Sequence, residues 1–269
     1  MPSDSLLGTP SGRADEPSRT PPRTPPTSTA APRDVAALLR LLAADPGRPR
    51  LTWYGDDGER VEISGAVLGN WVAKTTNLLV EELDAAPGTR VGCDLPPHWR
   101  TVLWALATWR AGATLVPLDD PAADAAGLDV LLSTDGARGE ADALVVVTLA
   151  ALARRAAVPL PPGAVDAAAA VMTYGDQLGW VPPTEPARVA LGDVTFADLP
   201  AWWAGEADAR PRVLLTAAAP LATHLRDVLR ALAADGSVVL LSPGRAEQLA
   251  DDPVARERLV ATERVTRVA

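Results

Sequence analysis

The sequence has 269 residues, 48% of them hydrophobic and 22% charged, with a formal net charge of −9. That apolar content can bury the core of one or two domains. The acidity argues against a nucleic-acid backbone or an anionic membrane surface as the main partner. A single cysteine, Cys93, excludes an intramolecular disulfide, and two histidines leave little for a soft-ligand metal cluster. A reducing, cytoplasmic setting is the expectation. Stretches free of charged residues, such as Ala143 to Ala153 and Val213 to Leu225, fall short of the roughly 18 apolar residues a spanning helix needs, and no signal-peptide apolar region opens the chain.

Residues 1–33 are rich in Pro, Ser, Thr and Arg and read as a disordered tail, because they bury too little surface to offset the entropy of ordering. Within them, Thr20 to Pro26 is a polyproline ligand or, more ordinarily, an unstructured spacer. A single domain is expected over 34–269. Asp34 is placed to cap a helix over Val35 to Ala44, ended by Asp45-Pro46-Gly47. Leu51 to Tyr54 and Arg60 to Ile63 flank Asp56-Asp57-Gly58 as a hairpin. Ser64 then caps a long helix carrying Leu68, Trp71, Val72, Thr75, Leu78, Leu79 and Leu83 at helical spacing.

A strand over Arg90 to Leu95, a helix over Pro97 to Ala111 closed by Gly112, and a strand over Ala113 to Leu118 make a βαβ unit. Strands follow at Val130 to Ser133 and Leu144 to Thr148, with a helix near Leu149 to Arg155 and a Pro-rich link at Pro159 to Gly163. A second βαβ unit comprises Val213 to Thr216, Leu221 to Ala234 and Ser237 to Ser242. Val165 to Arg210 gives no clear pattern. The fold class is therefore α/β, built of layered βαβ units on a mostly parallel sheet.

Phosphate-binding loops need glycines that let backbone N–H groups converge, with Lys, Ser or Thr beside them. Ser133 to Gly139 follows a strand, but Asp135 and Glu140 put negative charge where phosphate would sit, so a surface turn is the plainer reading. Lys74 is the only lysine among 25 basic residues, and a solvated polar helix face accounts for it. His98 opens a helix, where the macrodipole disfavours imidazolium. It is a neutral ligand contact or, more ordinarily, a structural histidine. His224 has no obvious partner, and Cys93 reads as a buried, inert thiol. Trp99, Trp104 and Trp109 are rotated about 140° from one another round their helix and cannot form one stacking platform. Trp202-Trp203 could pack in the core, line a pocket or mark a subunit contact.

The run Trp109-Arg110-Ala111-Gly112-Ala113-Thr114-Leu115-Val116-Pro117-Leu118-Asp119 resembles a core motif of the AMP-binding, acyl-adenylate-forming enzymes: acyl-CoA synthetases, luciferases and peptide-synthetase adenylation domains. Leu51 to Tyr54, the Asp-Gly turn and Ile63-Ser64 are similar to that family's N-terminal hairpin, with Gly65 and Val67 in place of its usual Tyr and Glu. Leu95-Pro96-Pro97-His98-Trp99 stands where the family has Leu-Pro-Asn, and Leu229 to Leu241 resembles its later helix-Gly-strand segment. The resemblance is to short bacterial proteins related to the N-terminal part of these enzymes.

The chemical motifs do not match. Between the Leu144 and Val213 strands no Ser/Thr/Gly loop ends in Pro-Lys-Gly, Tyr174-Gly175-Asp176-Gln177 shares two letters with Tyr-Gly-x-Thr-Glu and is out of order, and Thr-Gly-Asp is missing. The sequence to Ala269 is also expected to lack the C-terminal domain and its catalytic lysine. The resemblance thus implies a catalytically degenerate, truncated domain that binds a nucleotide, an acyl ligand or a protein partner, with ATP or AMP as the candidate cofactor and no metal. The alternatives are a divergent adenylating enzyme, in which Arg188 and Arg212 replace lysines and a partner completes the site, and a scaffold protein. Whether the chain is an enzyme stays open, leaning against. By the family's architecture a cleft would lie at the C-terminal ends of the parallel strands, with Ser133, Thr216 and Ser242 on its rim and His98 beside it.

Overall fold

The computed structural model describes residues 31–119, 126–136, 141–205, 210–218 and 220–269. The expected tail, its Thr20 to Pro26 run and the 137–139 part of the glycine-bearing turn lie outside them. In chain order the elements are α1 (Val35–Ala43), β1 (Pro49–Tyr54), β2 (Arg60–Ser64), α2 (Gly65–Glu81), β3 (Arg90–Asp94), α3 (Trp99–Arg110), β4 (Thr114–Pro117), β5 (Leu128–Ser133), β6 (Ala141–Val146), β7 (Val165–Asp166), α4 (Ala167–Ala170), β8 (Val189–Leu191), β9 (Val194–Thr195), α5 (Leu199–Trp202), β10 (Arg212–Thr216), α6 (Leu221–Ala233), β11 (Ser237–Leu241), α7 (Pro243–Asp251), α8 (Pro253–Thr262) and β12 (Arg267–Val268).

The strands form two sheets. A five-stranded sheet runs β12-β10-β11-β1-β2 and a seven-stranded sheet runs β7-β6-β5-β3-β4-β8-β9. Among the described residues only the β1–β2 and β8–β9 hairpins are antiparallel. The other pairings are parallel, as strand–helix–strand connections demand.

The inner faces of both sheets share one core with α1, α2, α3 and α6, from Leu38, Leu68 and Val91 to Leu215 and Leu240. α3 is buried on every side, including Trp99, Trp104 and Trp109. That explains how three tryptophans spread round one helix are all hidden: a helix covered on all faces needs no polar stripe. The expected caps form, Asp34 accepting from Ala37 N and Ser64 from Val67 N. Gly112 adopts φ +81° after α3, the left-handed C-cap that only glycine takes without strain. At Gly65 a Cβ would lie 2.2 Å from the Leu42 carbonyl oxygen. α1 therefore ends hard against the start of α2, and a residue larger than glycine could not fit there.

The outer face of the five-stranded sheet is covered by α7 and α8, whose Leu249 and Leu259 pack on Leu214, Val239 and Leu241. On the outer face of the seven-stranded sheet Leu118, Leu128 and Leu131 form a smaller cluster.

Two expectations fail. Residues 149–155 form bends and turns rather than a helix, because the carbonyls of Leu149, Ala150 and Ala151 turn to Arg100, whose guanidinium donates to all three at 3.1, 2.9 and 3.0 Å. Lys74 is not on a solvated face. It is 16% exposed, donates to the Tyr174 carbonyl at 2.5 Å and pairs with Asp176 at 2.9 Å. With Asn77, which donates to the Gln177 carbonyl and accepts from Gly179 N, it straps residues 174–179 across α2.

Candidate functional site

The C-terminal ends of β1, β3, β10 and β11 converge through the residues that follow them. His98, after β3, caps α3: its Nδ1 accepts from Arg100 N at 3.2 Å, so the proton resides on Nε2. Its ring meets Trp53 of β1 edge-on at 4.4 Å and lies 5.6 Å from Trp99. Burial, then the charge of Arg100 and the nearby His224, pushes its pKa down to about 3. His224, in the first turn of α6, is buried as well, with Nε2 unpartnered and its pKa pushed down by burial to about 4. Both imidazoles are neutral at pH 7.

Thr216 ends β10, exposed, in register with Leu241 of β11. Ser242, next in the chain, is buried. It caps α7 by accepting from Arg245 N at 3.2 Å and donates to Asp56 of the β1–β2 turn. Thr216 and Ser242 are thus brought together, and His98 reaches the same sheet through Trp53. Ser133 stays on the seven-stranded sheet, where it donates to Asp94 and Asp135 and accepts from Gly136 N at 3.0 Å. Its turn is closed by its own side chain and flanked by two carboxylates.

Sequence reasoning missed Asp119. Its Oδ2 accepts from Leu221 N at 2.6 Å, at the N-terminus of α6, a helix whose N-cap, Pro220, offers no capping side chain. The signal was present in the Pro-Leu-Asp ending of the β4 motif, but its partner lies 102 residues away. Asp56 plays the same part at α7, accepting from Arg245 N at 3.0 Å. Two helix N-termini at the strand ends, each an anion-attracting position, are therefore filled by aspartates of the chain.

The arginines considered as phosphate clamps are also engaged. Arg212 donates to the Glu263 carboxylate and carbonyl, to Ser237 and to Thr52, and Arg188 pairs with Glu185 on the surface at 3.0 Å. Trp203 is buried and Trp202 packs edge-on at 6.2 Å against Trp109 of α3, so the Trp pair belongs to the packing around α3. Cys93 is buried, which pushes its thiol up to about 12. Among the described residues no group of three His, Cys, Asp or Glu is placed to hold a metal, and no helix is long and apolar enough to cross a membrane.

This architecture is that of adenylate-forming enzyme domains. The chain superposes on the adenylation–carrier di-domain NpsA–ThdA from Klebsiella oxytoca with a TM-score of 0.61 at 15% identity, covering 89% of this chain and 43% of that one. For the amide bond synthetase McbA from Marinactinospora thermotolerans the values are 0.59, 18%, 87% and 48%. For acetoacetyl-CoA synthetase from Streptomyces lividans they are 0.57, 17%, 78% and 38%. The chain spans less than half the length of these enzymes. No protein-family model matches it. It is 40% identical over 250 residues to a TIGR03089 family protein of Mycobacterium tuberculosis, covering 87% of this chain and 96% of that relative. The chain belongs to the TIGR03089 family.

Proposed function

We propose that the chain is a non-catalytic, adenylating-enzyme-like domain that works by binding a ligand or protein partner without activating a carboxylate. The observation that carries this reading is electrostatic. Where the strand ends would meet a polyphosphate, Asp119 and Asp56 occupy the helix N-termini and Asp94 and Asp135 flank Ser133. Lys74 and Arg212, which could neutralise phosphate, are held by Asp176 and Glu263. Stabilising the charge of an adenylation transition state needs donors preorganised toward it. Here the preorganised groups are mostly acceptors.

The test is thermal unfolding of the full chain with ATP, AMP and a non-hydrolysable acyl-adenylate analogue, each with magnesium, alongside pyrophosphate exchange on a carboxylate panel. The expected result is no shift with ATP or AMP and no exchange. A ligand at about a hundred times its Kd adds about 2.7 kcal/mol, so a rise of several degrees with ATP, AMP or the analogue would identify a nucleotide or acyl ligand of the domain and contradict the expected exclusion of phosphate. Exchange activity would overturn the reading and would favour the divergent enzyme completed by a partner.

A further inference from the structure

Trp180 is 75% exposed directly after the strap of residues 174–179, and Met172 just before it is 56% exposed. Lone exposed apolar residues are common on loops. Here, however, the backbone beneath them is fixed by groups the fold has buried. Asn77, 4% exposed, donates to the Gln177 carbonyl and accepts from Gly179 N at 2.9 Å each, and Lys74 holds the Tyr174 carbonyl. Gly179 lies so close to α2 that a Cβ there would meet Glu81 Oε1 at 3.1 Å. The strap therefore presents Trp180 from a rigid base, which lowers the entropy lost when such a side chain is covered.

The free charges beside it are of one sign. The Tyr174 hydroxyl donates to Glu82 at 3.1 Å, and its pKa is pushed up to about 12 by burial, then by that hydrogen bond and the charges of Glu82 and Glu81. Glu81, Glu82 and Asp84 are exposed, and among the described residues none of them forms an ion pair. Lys74 beneath the strap and Arg188 beyond it are taken by Asp176 and Glu185. α2 also ends here, with Glu81 its last residue and no basic residue in its last turn. A helix C-terminus carries partial negative charge and is ordinarily answered by Lys or Arg. At this one it meets further carboxylates, so an uncompensated negative potential falls beside an exposed indole and a half-buried phenol.

We propose that this face docks an arginine-bearing segment of a protein partner, the guanidinium stacking on Trp180 and pairing with Glu81 and Glu82. Charge complementarity selects a cation, and the formal net charge of −9 steers one toward the chain. The indole selects arginine over lysine, because a planar guanidinium stacks on an aromatic face and pairs bidentately with a carboxylate, whereas an ammonium acts as a point charge. Trp, Tyr and Met held on a rigid base, with charge at the rim, match the composition of protein-binding patches. The face shares no residue with His98, Thr216 and Ser242 at the strand ends, and it does not depend on whether a nucleotide binds there.

The experiment is fluorescence anisotropy of a labelled hexa-arginine peptide titrated with the full-length chain at about 0.15 M salt, where attraction between exposed charges is screened beyond about 8 Å. The expected result is saturable binding, with unlabelled hexa-lysine and spermine displacing the probe only at much higher concentration. Trp180→Ser, and separately Glu81→Gln with Glu82→Gln, should each weaken binding about tenfold, the loss expected of a contact worth about 1.4 kcal/mol. All three positions are exposed, so the fold tolerates the changes. Glu247→Gln with Glu257→Gln removes the same charge from exposed positions on α7 and α8 and should leave binding nearly unchanged. Equal weakening by that control, or full binding in Trp180→Ser, would reduce the attraction to net charge and overturn the proposal. Spermine matching hexa-arginine would make the face a small-cation site, and self-association in sedimentation that is lost in Trp180→Ser would assign it to a second copy. Either result overturns the proposal as well.

Discussion

Two buried charges in this molecule are handled in opposite ways. Glu263, at the end of α8, is 6% exposed and is surrounded by donors: Tyr54 Oη at 2.5 Å, Arg60 at 2.9 Å and Arg212. Its charge is more than repaid. Burial alone would raise its pKa, but hydrogen bonds from Tyr54, Arg212 and Arg60 and the charge of Arg60 hold it below the usual carboxylate range. Arg100, equally buried, has only carbonyls and indole faces. The first charge locks the C-terminal segment onto the five-stranded sheet. The second holds a loop, with Glu59 as a nearby opposite charge outside ion-pair distance.

The largest effect should come from Glu263→Gln. It strands Arg212 and should cost about 3 kcal/mol, lowering Tm by about 8 °C for a chain of this size. The carboxylate's contribution is present above its unfolded pKa of about 4.3 and is lost as pH falls through the lower folded value. The gap between wild type and variant in denaturant melts should therefore shrink toward pH 3, and a gap that stays constant would break the account of Glu263.

The two neutral histidines come next. Their folded pKa values, about 3 for His98 and about 4 for His224, lie below the unfolded value of about 6.5. As pH drops below 6.5 the unfolded chain takes up protons first, and stability falls until the folded values are reached. At pH 5.5 each histidine should cost about 1.4 kcal/mol relative to neutral pH. His98→Asn keeps a capping side chain and His224→Leu suits a buried site. The double variant should lose most of the slope between pH 6.5 and 5 in chemical denaturation, and an undiminished slope would place the acid sensitivity elsewhere.

The smallest expected effect is that of Lys74→Met. Its partner Asp176 is 60% exposed, so the pair adds about 1 kcal/mol at most. Protease cleavage within residues 174–179 should accelerate while global stability barely changes.

Local chemistry made much of this legible in the sequence. Asp34 and Ser64 cap the helices expected of them, Gly112 closes α3, and both βαβ units form at their expected strands. What the sequence hid is long-range. The apolar and Ala-rich run from Leu149 has helical propensity, yet a guanidinium 49 residues earlier takes its carbonyls. Asp119 finds its helix terminus 102 residues away and Lys74 its strap 100 residues away. The stretch from Val165 to Arg210 breaks into elements of two to four residues, too short for a periodic pattern to register. Of the rim residues, Ser242 and Ser133 proved to be engaged in caps and turns, and only the exposed hydroxyl of Thr216 faces outward.

The strand order also dictates a sequence of assembly. Every strand of the seven-stranded sheet comes from one continuous stretch, Arg90 to Thr195, whereas β1 must wait for β11, pairing Leu51 with Val238 across the whole of that stretch. On a ribosome the seven-stranded sheet can zip up as it emerges. The five-stranded sheet cannot close until the last quarter of the chain is made, and long-range pairing of this kind carries a large loop-closure entropy and slows folding in general.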